Sequence, residues 1–216
     1  MLEEILKKLQ ATGTKLIAVS KTKPVDAILE LYNRGQRIFG ENRVQELVRK
    51  QGELPADIEW HFIGHMQTNK VKYIAPFIAC IHSIDSLKLL KEVNKQAEKN
   101  GRTIDCLLQF HIAEEETKFG LDLDEAGGLL SSDDFFKMKN VRIRGVMGMA
   151  TFTEDEGQVR REFAFLKNIF DELKNMYFPD DPGFSEISMG MSGDYEIALE
   201  EGSTMVRLGT LLFGQR

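Results

Sequence analysis

The feature that most constrains the fold of this chain is a repeated alternation of short apolar runs with amphipathic helical stretches. Eight apolar runs of strand length occur along the 216 residues. Runs that are apolar along nearly their whole length are typical of parallel strands covered on both faces. The predicted strands are Lys15–Ser20, Arg37–Gly40, Glu59–Gly64, Ile78–Ile84, Ile104–Ile112, Val141–Ala150, Glu186–Gly190 and Met205–Phe213.

The intervening helices have sequence signals at their ends and along one face. Pro24 suits a first helical position, Gly35 suits a helix C-terminus, and Ser86 is a candidate N-cap. The clearest helix spans residues 154–177, where apolar residues recur every three or four positions. Eight strands alternating with about eight helices fit a single (β/α)8 TIM barrel over residues 1–216 better than an open doubly wound sheet.

Composition excludes several classes of protein and of partner. Lys and Arg total 28 against 34 Asp and Glu, a net charge of −6, so neither nucleic acid nor an anionic membrane is an expected partner. The amino-terminal segment is charged where a signal peptide requires an apolar run, which predicts a cytoplasmic protein. Cys80 and Cys106 lie in apolar stretches without the spacing of a zinc site, and we expect buried thiols.

The loops that follow the strands of a barrel converge on one mouth, so chemistry is expected there. Lys21 stands where the first strand ends, an unusual place for an ammonium group because desolvation is costly. Partial burial and the like charge of Lys23 would lower the pKa of Lys21 and favour the free amine that Schiff-base chemistry requires. Alternatively, both lysines extend from the strand end into water, and this segment alone leaves the two interpretations open.

A second group of candidate residues follows the last two predicted strands. The segment Ser188–Asp194 contains small residues that let backbone N–H groups approach an oxyanion, and a helix is predicted to begin near Asp194. Arg207, Gly209 and Thr210 lie in the eighth strand. This region is the usual phosphate site of barrels. A lysine amine combined with a phosphate site points to pyridoxal phosphate (PLP) as the cofactor.

Six segments, in this order, make the chain resemble the pyridoxal phosphate homeostasis protein family. They are Ala18–Pro24, Phe39–Glu46, Trp60–Gly64, Gln67–Lys70, Ser188–Ser192 and Gly202–Thr210. The resemblance spans nearly the whole chain, and six ordered motifs are far more specific than any single one. It implies a barrel like the N-terminal domain of alanine racemase, with PLP held as an aldimine on Lys21.

The resemblance also implies roles for individual residues. The phosphate-binding positions of the family match Ser192, Gly193, Gly209 and Thr210. Arg207 matches the arginine that faces the pyridine nitrogen and keeps it unprotonated, which makes the ring a poor electron sink and suits a carrier. Asn42 matches a Gly-Glu-Asn motif and is expected to line the ring pocket, with a role in fixing a turn as the alternative.

The remaining polar residues are given weaker roles. His111 stands where the family commonly has Asn, so a contact to the ring is expected to differ here, and His65 is at a variable position. His61 and His82 lie in apolar strands and are expected to make structural hydrogen bonds. The four histidines show no metal-ligand spacing, so no metal is expected. Lys118 is a candidate secondary acceptor during cofactor transfer.

These observations predict a monomeric PLP carrier that supplies apo-enzymes rather than an enzyme. A PLP-dependent amino-acid racemase is the alternative, but it requires a second acid/base group. The tyrosine that such racemases carry four residues after the lysine is replaced by Val25, and the chain ends at Arg216 where a second domain would follow. A class I aldolase acting on sugar phosphates is a third possibility, although no acidic residue borders Lys21.

Overall fold

The computed structural model describes residues 2–114 and 119–214, with the backbone alone for Leu2. Within these residues eight parallel strands pair in chain order and the last pairs with the first, which closes a barrel. This confirms the predicted (β/α)8 fold. The strands are β1 (Lys15–Val19), β2 (Ile38–Glu41), β3 (Glu59–Phe62), β4 (Cys80–Ile84), β5 (Ile104–Gln109), β6 (Val141–Met147), β7 (Glu186–Ser188) and β8 (Met205–Leu208).

Helices surround the strands and follow the end signals of the sequence. Pro24 occupies the cap position before the second helix, Gly35 follows that helix with φ +100°, and the Ser86 hydroxyl accepts a hydrogen bond from the Leu89 N–H at 3.3 Å. The helices are α1 (Leu2–Thr12), α2 (Val25–Asn33), α3 (Val44–Glu53), α4 (Val71–Ile74), α5 (Leu87–Lys99), α6 (Leu123–Leu130), α7 (Asp133–Lys137), α8 (Glu156–Tyr177), α9 (Tyr195–Glu200) and α10 (Thr210–Phe213), with a 3₁₀ turn at Thr68–Lys70.

Several predicted strands extend too far toward their carboxyl ends. The prediction Met205–Phe213 is wrong beyond Leu208, because the chain leaves the barrel at Gly209 and forms the short helix α10. The predicted strands ending at Ile112 and Ala150 likewise stop earlier, at Gln109 and Met147. Ile112 and Ala150 are nevertheless buried. An apolar run therefore reports burial, and burial continues into the loops at this end of the barrel.

Apolar side chains pack on both sides of the barrel wall. Outward-facing residues such as Phe39 and Trp60 belong to the main core between strands and helices. Inward-facing residues form a smaller cluster in the barrel interior, comprising Ile17, Cys80, Leu107, Met147 and Met205. Cys80 and Cys106 are free and buried, as predicted. Over residues 2–114 and 119–214 no helix is sufficiently long and apolar to cross a membrane.

Gly145 of β6 is a backbone position that only glycine fits. It has φ +152° and pairs with Glu186 of β7, and a Cβ on it would lie 1.8 Å from the Glu186 carbonyl oxygen. We expect Gly145→Ala to lower the free energy of unfolding by about 2–4 kcal/mol, because the barrel wall must open to relieve the clash. Urea denaturation followed by circular dichroism measures this change.

Gly128 in α6 provides the matched control for that substitution. A Cβ on Gly128 would meet nothing within 4 Å. Gly128→Ala is therefore expected to raise the free energy of unfolding by up to about 1 kcal/mol through helix propensity. Equal effects of the two substitutions would contradict the assigned β6–β7 contact.

Candidate functional site

The residues predicted to bind the cofactor lie at the carboxyl end of the barrel, most of them beside the two strands that close it. β1 and β8 pair with Ile17 opposite Arg207. Half-buried Lys21 lies just beyond β1, and Gly209 lies just beyond β8. A Cβ on Gly209 would lie 3.4 Å from the Val19 carbonyl oxygen. Barrel closure therefore brings the first and last predicted motifs together.

Backbone hydrogen bonds hold the segment that carries Lys21 on both sides of that residue. The Ser20 N–H donates to the Gly40 carbonyl at 3.0 Å, and the Lys23 N–H donates to the Ser20 carbonyl at 3.0 Å. Thr22 adopts φ +65°, a conformation that β-branched residues avoid and that costs on the order of 1–3 kcal/mol. Its N–H donates to the Glu46 Oε1 atom at 2.7 Å. Backbone strain of this kind persists only where neighbouring groups hold the backbone in place, and the strained residue Thr22 directly follows Lys21.

Lys50 of α3 anchors this segment from inside the protein. Its side chain is fully buried, and Nζ donates to the Ser20 carbonyl, Glu41 Oε1 and Glu46 Oε1, each at 2.7 Å. An ammonium group has three N–H donors, so all of them are used. Since Glu46 also accepts from Thr22, Lys50 connects α3 and β2 to the segment that carries Lys21.

Glu41, at the end of β2, is the fully buried partner of Lys50. Its Oε1 atom also accepts from the Ser20 hydroxyl at 2.7 Å, whereas Oε2 has no hydrogen-bond partner among the described residues. Burial raises the pKa of Glu41 above its ordinary value, against the opposing hydrogen bonds from Lys50 and Ser20. Burial acts in the same direction on Glu46, but hydrogen bonds from Lys50 and the Thr22 N–H lower its pKa overall.

The loops after β7 and β8 meet at the mouth. Gly190 has φ +94°, and a Cβ on it would lie 2.6 Å from the Ala198 Cβ, so glycine permits α9 to pack on the loop. The Ser192 hydroxyl accepts a hydrogen bond from the Gly209 N–H at 3.3 Å. Among the described residues, no acceptor takes the N–H of Ser192 or Gly193. Successive free N–H groups beside a hydroxyl are typical of an anion-binding loop.

Arg207 lies in the barrel interior beneath these loops, 4% exposed. Its Nη1 atom donates to the Ser188 carbonyl at 2.8 Å and hydroxyl at 2.6 Å, and Nη2 donates to the Gly148 carbonyl at 3.0 Å. Burial lowers the pKa of Arg207 to about 10, which leaves it protonated at neutral pH. The Ser188 hydroxyl lies 3.0 Å from His82 Nδ1, and His82 Nε2 lies 2.8 Å from His61 Nδ1. The predicted structural hydrogen bonds of both histidines are confirmed.

The other residues singled out in the sequence are half-buried or exposed where the structure describes them. Asn42 is half-buried after β2, and a Cβ on Gly64 would lie 2.5 Å from the Asn42 carbonyl oxygen, so glycine allows this approach. His111 is half-buried after β5. Thr210 and Gly193 are exposed. Lys118 lies outside the described residues.

The sequence reasoning missed Glu41, Glu46 and Lys50 as supports of the site. A signal was present in α3, where Val44, Leu47 and Lys50 follow one another at intervals of three residues and are all buried. A lysine on the apolar face of a helix requires buried partners. Glu46 is one helical turn away, but Glu41 is brought in only by the packing of α3 on β2.

The comparisons with known proteins match the whole chain. The family described as "Alanine racemase, N-terminal domain" matches residues 2–216. The pyridoxal phosphate homeostasis protein of Aquifex aeolicus is 41% identical over 222 residues, which cover 100% of this chain and 95% of that protein. The chain belongs to the pyridoxal phosphate homeostasis protein family. The resemblance read from the six sequence motifs is thereby confirmed.

Solved structures agree with this family assignment. PipY of Synechococcus elongatus, solved without PLP, superposes with a TM-score of 0.88 at 36% identity, covering 99% of this chain and 100% of PipY. A second structure of PipY has PLP bound and gives a TM-score of 0.85 at 35% identity. Alanine racemase from Bartonella henselae gives 0.70 at 16% identity, covering 97% of this chain and 57% of the racemase. At that identity the racemase likeness shows the fold alone.

Removal of the buried ammonium group tests the role of Lys50. Lys50→Met leaves Glu41 and Glu46 without their shared cation, and we expect the free energy of unfolding to fall by about 3–5 kcal/mol. Urea denaturation at neutral pH measures the change. Lys91→Met is the matched control, because Lys91 is exposed and pairs with the exposed Asp134. That control should change stability little, and a comparable loss in both variants would contradict the role assigned to Lys50.

Proposed function

We propose that this protein binds PLP at the carboxyl mouth of its barrel, covalently through Lys21, and holds it for supply to apo-enzymes. Support comes from three features at one mouth, namely a lysine in a hydrogen-bonded backbone segment, a buried arginine and a loop with N–H groups suited to an anion. In addition, the relative PipY was solved with PLP bound. The proposal includes one barrel domain over residues 1–216 that acts as a monomer in the cytoplasm. It assigns no catalytic residue.

The loops after β7 and β8 fit the phosphate of PLP. Ser192 and Gly193 offer backbone N–H groups without an acceptor among the described residues, and Gly209 and Thr210 begin the short helix on the other side. Hydroxyl and N–H donors of this kind suit a phosphate dianion. These four residues would hold the phosphate, while Asn42 and His111 would border the ring.

Bound PLP supplies an aldehyde carbon to which amines add. Lys21 Nζ would form the carbon–nitrogen double bond to that carbon, with release of one water molecule. The role of the surrounding chain is to place the amine: Lys50 fixes the Ser20 carbonyl, and Glu46 fixes the Thr22 N–H. The residue between these two is Lys21.

Arg207 determines what chemistry the site favours. Its guanidinium is held by neutral acceptors, namely two carbonyl oxygens and the Ser188 hydroxyl, and has only donors to offer. Beside the pyridine nitrogen it would donate a hydrogen bond without transferring a proton, which leaves the ring a weak electron sink. Weak carbanion stabilisation suits storage and transfer of PLP better than racemisation.

The Lys21→Ala variant tests the covalent link. We expect it to lack the visible absorption band of the purified protein and to show no mass increase by PLP after borohydride reduction, because the amine that traps the cofactor is gone. Absorption spectroscopy and intact-mass spectrometry measure both properties. Retention of either in the variant would disprove the assignment of Lys21.

Lys23→Ala is the matched control for the Lys21 variant. The Lys23 ammonium donates to the carbonyl groups of Phe213 and Gly214, at 3.2 and 3.1 Å. We expect the control to keep the visible band and the reducible adduct. Incubation of the wild type with L-alanine in D₂O completes the test, since robust exchange of the α-proton would favour the racemase alternative.

A further inference from the structure

A second cluster of chemically competent side chains lies deeper in the barrel than Arg207. It consists of His61, Cys80 and His82, which are all buried. One ligand atom from each, an imidazole nitrogen or the thiol sulfur, lies within 4.8 Å of the others. Nitrogen and sulfur donors in one cluster are the ligands of Zn²⁺ and of other thiophilic metal ions.

Strand register assembles this cluster. His61 of β3 pairs directly with Cys80 of β4. His82 follows Cys80 by two residues, so strand alternation directs both side chains to the same face of the sheet. Cys80 belongs to the apolar cluster of the barrel interior, which identifies that face as the inward one. The spacing of the histidines in the sequence did not indicate a metal site because register, and not sequence proximity, joins the ligands.

A cavity of about 140 Å³ leads to this cluster from the amino-terminal end of the barrel. His61 and Cys80 line it, together with three carboxylates and two cations: Glu59, Asp105, Glu186, Lys15 and Arg144. Lys15 is paired with Glu186, and Arg144 with Asp105 at 3.6 Å. Arg142 also donates to Asp105, at 2.8 Å, so these carboxylates and cations balance in number. The cavity offers a route and space for water.

We propose that His61, Cys80 and His82 form a Zn²⁺-binding site at the base of the barrel. In the tautomer with its proton on Nδ1, His82 donates to the Ser188 hydroxyl and directs the Nε2 lone pair toward His61. Such an outer hydrogen bond orients metal-ligating histidines. A water molecule from the cavity completes four-coordination.

Zinc binding would require only small changes in the distances between the ligand atoms of His61, Cys80 and His82. Ligand atoms of a tetrahedral zinc site are about 3.3–3.8 Å apart. His61 Nδ1 and His82 Nε2 are 2.8 Å apart, and one ligand atom from each of the three residues lies within 4.8 Å of the others. Binding forms one Zn–S and two Zn–N bonds. The Cys80 thiol proton passes to solvent, and the His61 proton that faces His82 Nε2 moves to the other ring nitrogen of His61, which frees the Nδ1 lone pair.

Equilibrium dialysis of the full-length, tag-free protein against Zn²⁺, with metal quantified by mass spectrometry, tests the proposal. We expect one equivalent of Zn²⁺ in the wild type and an affinity reduced by more than about 10-fold in Cys80→Ser. Cys106→Ser is the matched control, because Cys106 is also buried but packs in the core outside the barrel interior. It should bind Zn²⁺ as the wild type does.

Two further measurements keep the result interpretable. Lys21→Ala should retain the site, so loss of Zn²⁺ there would mean that the cofactor chelates the metal and would overturn the proposal. Co²⁺ added to the wild type should give d–d absorption bands of a tetrahedral thiolate complex, whether or not Cys80→Ser folds. No Zn²⁺ binding by the wild type, or equal binding by a folded Cys80→Ser variant, would likewise overturn it.

Discussion

The parallel ladder between β1 and β8 joins the first strand of the barrel to the last, with Lys15 opposite Met205 and Ala18 opposite Leu208. Parallel pairing puts the carboxyl ends of both strands at the same edge. Lys21 and the Gly209 turn, far apart in the sequence, therefore border one mouth. Every role proposed for the mouth depends on this closure.

Two buried cations serve the mouth in opposite ways. Lys50 is neutralised by Glu41 and Glu46 and uses its donors to hold backbone. Arg207 donates to neutral oxygen atoms, and the carboxylate that acts on its charge is Asp194 of the loop after β7. Burial of a charge is costly unless hydrogen bonds replace water, and in both cases they do. The first arrangement fixes the lysine segment, and the second places a protonated guanidinium beneath the loops of the mouth.

The order and number of the strands were predictable from the sequence, because apolar runs report parallel strands covered on both faces. The carboxyl ends of the strands were not predictable from the sequence, since burial continues past Gln109 and Met147 into the loops. Lys21 and the Ser192 loop were predicted as site residues from their positions after strands and from the family motifs, and their roles in binding stay predictions. The contacts of Lys50 with Glu41 and Glu46 could not be predicted, because they depend on how α3 packs on β2. The pairing of His61 with Cys80 depends on the register of β3 and β4, which no local sequence pattern contains.

All three N–H donors of Lys50 are used, and this limits which residues members of the family can carry at the same position. Its three N–H groups meet three acceptors in three directions, and arginine, with its planar fork, does not reproduce that arrangement. Loss of either Lys50 or Glu41 leaves a fully buried charge without its fully buried partner. We therefore expect relatives to keep or replace these two residues together, with less constraint on the partly exposed Glu46.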